Sequence, residues 1–290
     1  MFFHTVVVIG AGKVARGCLS TLIKTDRRKQ FNQLVFIENG SILGTNMAQW
    51  CENNDISFIL PSSSKSITTW FAQKKDNTLV ISAANYYIFP VSIVSKNNIF
   101  IVNYHDALLP AYPVRNAITW AIFRGENMTG VTWHMVNAGI DTGDVIAQRT
   151  INIDDDTKAY ELLQKSFYEA CICFESFVDD LLLWRIHASK QQSMKNRKVY
   201  LSSEVPNNGI VDLSWQSSEI YRLLRSLDYS GLNIMPPPKV YINEQERTVV
   251  QYSKISKDKS NDVISALMPR RNDFLLLNLS VDYNLLIKLK

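Results

Sequence analysis

The sequence predicts an α/β fold: a doubly wound, mostly parallel sheet followed by a small β-rich C-terminal domain. Three observations predict it. The first 150 residues alternate short β-branched apolar runs with stretches of helical period, the arrangement of a parallel sheet covered on both faces. A glycine turn, Gly10-Ala11-Gly12, links the first run to the first helix, as in Rossmann-like sheets. After residue 200 the helical pattern gives way to short strand-like pieces. The expected division is a Rossmann-like domain over 1–200 and a small β-rich domain over 201–290.

Candidate strands occupy residues 5–9, 33–37, 57–60, 78–82 and 99–103, with helices over 14–24 and 45–53 between them. Residues 131–136 and 145–151 are strand-like and flank a Gly/Asp turn, so they extend the sheet in antiparallel fashion. Asp154-Asp155-Asp156-Thr157 offers N-caps and favourable charge to a long helix. Along that helix Leu162, Leu163, Phe167, Cys171, Phe174, Val178, Leu181 and Leu182 recur at three- and four-residue spacing, the signature of a buried stripe. The polar stretch 188–208 reads as a linker. Beyond it lie an amphipathic helix over 218–227, a triple proline at Pro236-Pro237-Pro238, and strands over 239–242, 248–253 and 274–279.

With 46% hydrophobic and 20% charged residues among 290, the chain carries enough apolar surface for a packed core. Its formal charge is +4, and residues 201–290 hold 11 basic and 10 acidic side chains, a net of +1. That near balance speaks against a nucleic-acid-gripping module, which is normally lopsided. Cys18, Cys51, Cys171 and Cys173 show neither zinc-ligand spacing nor a disulfide pattern, so all four read as buried, reduced thiols and no metal site is expected. The apolar start lacks a basic leader region, and no apolar run approaches about 18 residues. A cytoplasmic enzyme with no membrane span is the expectation, and a homodimer is left open.

The loop Gly10-Ala11-Gly12-Lys13-Val14-Ala15 follows a strand and opens a helix, and Glu38 ends the second strand. These features satisfy the dinucleotide fingerprint and support an NAD(P)-dependent oxidoreductase reading. They equally suit the tight small-residue turn that any doubly wound sheet needs, and the loop alone does not choose.

Asn103 and His105 lie two apart at the end of the fifth strand, so an extended backbone points both to one side. Strand carboxyl ends are where open α/β sheets place ligands. Asp141 comes from the turn Gly139-Ile140-Asp141-Thr142-Gly143-Asp144, whose glycines let backbone approach a bound molecule. Leu108-Leu109-Pro110 adds a rigid apolar wall. An amide donor, an imidazole and a carboxylate are the parts needed to hold a polarised carbonyl while an amine attacks it.

The block Asn103-Tyr104-His105-Asp106-Ala107-Leu108-Leu109-Pro110-Ala111-Tyr112, followed by Gly130-Val131-Thr132-Trp133-His134 and Gly139-Ile140-Asp141-Thr142-Gly143-Asp144, resembles the N10-formyltetrahydrofolate-dependent formyltransferases. That family includes methionyl-tRNA, glycinamide-ribotide, amino-sugar and peptide-synthetase types. The resemblance implies N10-formyltetrahydrofolate as co-substrate. It gives Asn103 the role of donor to the formyl oxygen, His105 that of stabilising the tetrahedral intermediate or handling its proton, and Asp141 that of orienting His105 or a water. By the same resemblance the loop with Ala84, Tyr86, Tyr87, Ile88, Phe89 and Pro90 holds the pterin through its backbone, with Asn137, Gly139 and Ile140 beside it. Gly10, Gly12, Lys13, Leu109, Pro110 and Tyr112 are the expected contacts of the acceptor. The chain departs from many members at Ala107, where they carry Ser, and at Pro113-Val114, where they carry a Gly-containing pair.

The formyltransferase reading accounts for the longer block, residues 103–148, which the oxidoreductase reading leaves unexplained. For the acceptor, Asn116-Ala117-Ile118-Thr119-Trp120 and Val131-Thr132-Trp133-His134 look most like the peptide-synthetase type. The expected partner is therefore a small or carrier-bound amine of amino-acid or aminoacyl type. A nucleotide-linked amino sugar is the alternative, and methionyl-tRNA ranks lower because of the charge balance. Trp120 and Trp133 are read as core residues. His134 fits a packed side chain as well as a site residue.

Overall fold

The structure, a computed structural model, describes residues 2–40, 47–113, 115–192, 201, 203–260 and 273–290. By compactness of the Cα trace the chain forms two units. One takes Met1–Val114, Gly130–Ile151 and Lys165–Tyr200; the other takes Arg115–Thr129, Asn152–Gln164 and Leu201–Lys290.

The first unit is built on a seven-stranded sheet. Its strands in chain order are β1 (Thr5–Gly10), β2 (Gln33–Glu38), β3 (Ser57–Ile59), β4 (Thr78–Ala83), β5 (Ile99–His105), β6 (Met128–Met135) and β7 (Val145–Asn152). They lie in the order β3-β2-β1-β4-β5-β6-β7. β1 pairs in parallel with β2 and β4, β2 with β3, and β4 with β5. β6 then runs antiparallel to β5, with Val102 opposite Met135 and His105 opposite Thr132. The sheet is therefore mostly parallel, as the near-continuous apolar strands require. Every residue of β1 and β4 is buried, the expected state of central strands covered on both faces.

Among the described residues the α-helices include α1 (Gly12–Leu22), α2 (Thr25–Arg28), α3 (Met47–Glu52), α4 (Ser64–Ala72), α5 (Val91–Val94), α6 (Ala117–Phe123), α7 (Ala159–Leu182) and α8 (Ser217–Leu227). α4 begins with a reciprocal capping box between Ser63 and Ser66. Of the helix expected over 45–53, residues 45 and 46 lie outside the described residues. On α7 the buried positions include Leu162, Ala170, Cys173, Phe174, Phe177, Val178, Leu181 and Leu182. Cys171 is only half-buried, which corrects the expectation of four buried thiols. Its sulfur meets Gly17, where a Cβ would stand 2.3 Å from it.

The linker assignment for 188–208 also needs correction at its start. Ser189 forms an antiparallel bridge with Val145, two 2.8 Å backbone hydrogen bonds joining them. Of the remaining stretch, residues 193–200 and 202 lie outside the described residues.

The second unit holds a five-stranded sheet, β11-β12-β10-β9-β8. Its strands are β8 (Ile210–Val211), β9 (Lys239–Ile242), β10 (Gln245–Ser256), β11 (Phe274–Asn278) and β12 (Tyr283–Leu289). Within this unit α8 buries Ile220, Leu223, Leu224 and Leu227, and Thr119 of α6 shares a 2.7 Å hydrogen bond with the Tyr229 hydroxyl. Among the described residues no helix is long and apolar enough to cross a membrane. Nor do any three His, Cys, Asp or Glu side chains stand where they could hold a metal ion.

Candidate active site

At the carboxyl ends of β4 and β5 a line of side-chain hydrogen bonds fixes Asn103. Its Oδ1 accepts from Ser82 Oγ at 2.6 Å. Ser82 Oγ in turn accepts from Asn85 Nδ2 at 3.2 Å, and Asn85 Oδ1 accepts from Asn39 Nδ2 at 2.6 Å. On the other side Asn103 Nδ2 lies 3.1 Å from His134 Nε2, while His134 Nδ1 lies 2.8 Å from the Met135 carbonyl. A carbonyl only accepts, so Nδ1 carries the hydrogen and neutral His134 must accept from Asn103. Donation therefore runs one way, from Asn39 to Met135. It leaves Asn103 one amide hydrogen outside the line.

His105 is buried, with 7% of its surface exposed. Its Nε2 donates to the Tyr112 carbonyl at 2.7 Å, so the neutral ring keeps its lone pair on Nδ1. Nδ1 faces two carboxylates, Asp141 Oδ2 at 3.7 Å and Asp106 Oδ1 at 4.0 Å. Asp141 Oδ1 stands 3.5 Å from His134 Nε2, so one carboxylate reaches both imidazoles. Burial pushes the Asp106 carboxyl above its ordinary value, and the neighbouring Asp141 charge adds to the rise while His105 opposes it.

Asp141 is itself held by turn chemistry. It adopts a left-handed conformation, φ 49°, and the turn around it is tied by Asn137, whose Oδ1 accepts from Gly139 N and Thr142 Oγ1. A Cβ on Gly143 would lie 1.7 Å from the Met135 carbonyl oxygen, so only glycine fits there. From the segment that follows α7, Gln191 Nε2 donates to the carbonyls of Asp141 (2.9 Å) and Gly143 (2.7 Å). The Leu109–Pro110 wall is anchored in the same way. Thr132 Oγ1 accepts from Leu109 N, and Gln148 Nε2 donates to the Leu109 carbonyl. Leu109, Pro110, residues 145–148 and residues 189–192 line a groove of about 410 Å³.

The other expected contacts divide by where their side chains go. In the loop after β4, Tyr86 and Ile88 are exposed, whereas Tyr87 and Phe89 pack into the core with Phe71. Tyr87 and Phe89 would therefore offer a ligand their backbone rather than their side chains. Ala84 takes a left-handed conformation, φ 55°, and Pro90 caps α5. Asn137 is occupied with its own turn, beside the exposed Ile140. Gly10 has a structural cause: a Cβ there would meet the Ala83 carbonyl oxygen at 1.8 Å. Gly12 takes φ 65°, Lys13 is exposed, and Tyr112 sits at φ 48° with its carbonyl on His105.

The structure thus brings Asn103, His105 and Asp141 near one another, with His134 between Asn103 and Asp141. It adds Ser82, Asn85, His134 and Gln191, which sequence reasoning did not name as site residues. Only His134 carried a signal, since it lies opposite Asn103 if β5 and β6 pair.

An amide donor, an imidazole and a carboxylate at the carboxyl edge of a mostly parallel sheet can together hold a polarised carbonyl and take up a proton. Residues 65–170 match the family model for formyl transferase. GDP-perosamine N-formyltransferase of Brucella melitensis biotype 1 is 26% identical over 157 residues, covering 54% of this chain and 59% of that relative. Methionyl-tRNA formyltransferase of Acetivibrio thermocellus is 29% identical over 217 residues, covering 72% of this chain and 65% of its own length. The chain thus spans less than two thirds of the length of either relative. The structure of the N-formyltransferase from Helicobacter canadensis with folinic acid and dTDP-3-aminofucose matches the fold with a TM-score of 0.72. That match covers 100% of both chains at 15% identity. Residues 65–170 are thus similar to the formyl transferase family, and the fold of the chain is that of a solved N-formyltransferase.

Proposed function

We propose that the protein moves a formyl group from N10-formyltetrahydrofolate to the primary amine of a nucleotide-linked amino sugar. The observation that carries the reaction type is the convergence of Asn103, His105 and Asp141 at the end of β5, inside the segment that matches the family. The remaining amide hydrogen of Asn103 is positioned to donate to the formyl oxygen as charge develops there. The attacking amine nitrogen forms the new C–N bond and the carbonyl pair moves to that oxygen. His105 Nδ1 takes the proton the amine loses, and Asp141 faces the resulting imidazolium. Breaking the bond from the formyl carbon to N10 returns the proton from His105 to the departing nitrogen, which balances the step. Tyr86, Ile88 and Ile140 supply exposed apolar surface on the two flanking loops that suits a flat pterin ring.

For the acceptor, the amino-sugar alternative is better supported than the aminoacyl preference read from the sequence. A perosamine enzyme stands among the sequence relatives, and the whole chain shares its fold with an enzyme crystallised with an aminodeoxy sugar nucleotide. The near-neutral charge of residues 201–290 disfavours a tRNA. The glycine loop is accounted for by its approach to Ala83 and calls for no dinucleotide. The test is a panel of acceptors with formyltetrahydrofolate and mass detection. Transfer to a 3-amino or 4-amino sugar nucleotide is expected, and transfer to aminoacyl carriers or tRNA alone would overturn this choice.

A further inference from the structure

We infer that Gln191 is a positioning residue for the carboxylate of Asp141, acting from a segment that the sequence presents as a linker. The inference rests on the proposed reading of the Asn103–His105–Asp141 site. Gln191 Nε2 is the donor to two backbone carbonyls, those of Asp141 at 2.9 Å and Gly143 at 2.7 Å. Both partners only accept, so the orientation of the amide is fixed by chemistry. Among the described residues Gln191 Oε1 is buried without a hydrogen-bond partner. Its amide nitrogen is spent on the turn, at the carbonyls on either side of Thr142.

Three further constraints show why the turn needs such a hold. Asp141 sits in a left-handed conformation that non-glycine residues rarely adopt. Gly143 allows the backbone to press on Met135, and Asp144 returns a carbonyl to Met135 N at 2.8 Å. The neighbouring residue Ser189 is locked to Val145 by two hydrogen bonds, so the amide of Gln191 is delivered from a paired backbone rather than from a free arm. Asp141 reaches His105 Nδ1 at 3.7 Å and His134 Nε2 at 3.5 Å. A small displacement of the turn therefore changes both contacts together. Gln191 touches neither imidazole, and its effect passes through Asp141.

The test uses the full chain with Gln191→Met, which keeps length and packing while removing both donors, and Gln191→Ala as a second variant should the first unfold. Hydrogen exchange of the 139–145 amides reads the brace itself, with or without activity. Formyl transfer to the acceptor found with the wild type reads its consequence. The expected result is faster exchange in 139–145 and a roughly ten- to hundred-fold loss of kcat, the scale of a misplaced catalytic group. The KM for formyltetrahydrofolate stays within about threefold, and the kcat–pH profile is displaced because Asp141 no longer faces His105 in the same way. A variant with unchanged exchange, or with faster exchange but wild-type kcat and pH profile, would overturn the inference. A wild-type protein that transfers no formyl group would instead sink the proposed function and leave the exchange result to judge the brace alone.

Discussion

Replacing Asn103 by alanine tests whether the amide is a preorganised donor. The side chain has one oxygen and two amide hydrogens. Ser82 Oγ occupies the oxygen at 2.6 Å, and His134 Nε2 takes one hydrogen at 3.1 Å. One donor is left for a ligand. Losing a single preorganised donor at a developing oxyanion costs about 2.7–4 kcal/mol, or about 10²–10³ in kcat. The substitution also strands Ser82 and His134, at a net cost to folding of about 1 kcal/mol for each lost hydrogen bond. The assay is steady-state formyl transfer with mass detection, alongside a thermal melt to show the variant folded. The pattern expected is a fall in kcat with the KM for the formyl donor nearly unchanged, the mark of an interaction made in the transition state. Asn103→Asp keeps the shape and the Ser82 contact but puts an oxygen where the donor was, so it should lose at least as much. A folded Asn103→Ala that keeps kcat within about threefold of wild type would refute the reasoning.

Two other predictions concern the scaffold. Gly10→Ala would press a Cβ to 1.8 Å from the Ala83 carbonyl at φ +150°, so denaturant unfolding should show a loss of about 3 kcal/mol; a neutral result would mean that the β1–β4 approach does not fix this glycine. Burial would raise the Glu175 carboxyl, but hydrogen bonds from Lys24, Arg27 and Thr21 hold it down to about 2. A depressed carboxylate stabilises the fold above its unfolded value and loses that contribution as pH falls, here from 4.5 toward about 2. Asp179, lowered by its hydrogen bond to Arg27, shifts the same way. Glu175→Gln should therefore flatten the acid limb of the stability–pH curve between those values, and an unaltered limb would contradict the assignment.

Much of this was legible in the sequence because two periodicities are strong. Alternation put Asn103 and His105 on one side of β5, and the continuous apolar runs at 5–9 and 78–82 marked central strands. The same alternation separates Tyr86 and Ile88 from Tyr87 and Phe89, although the resemblance alone did not use it. Other features carried no local signal. β8 is two residues long, too short to show a pattern. β12 ends in Lys288 and Leu289, just before Lys290, a composition that reads equally as a tail. Gln191 lies in polar surroundings, and only the pairing of Ser189 with Val145 brings it to the Asp141 turn. Ser82 and Asn85 matter through a line of hydrogen bonds that crosses from β4 to β5, which sequence spacing does not reveal.

The central claim is that Asn103, His105 and Asp141 form a formyl-transfer centre. A single-turnover measurement tests it most directly: enzyme in excess, isotopically labelled formyltetrahydrofolate, an amino-sugar nucleotide, and mass detection of the product for wild type and Asp141→Asn. The wild type should move the labelled formyl group to the sugar amine, and Asp141→Asn, which cannot balance the charge on His105, should slow that step by about 10²-fold or more. Equal single-turnover rates for the two proteins would contradict the claim.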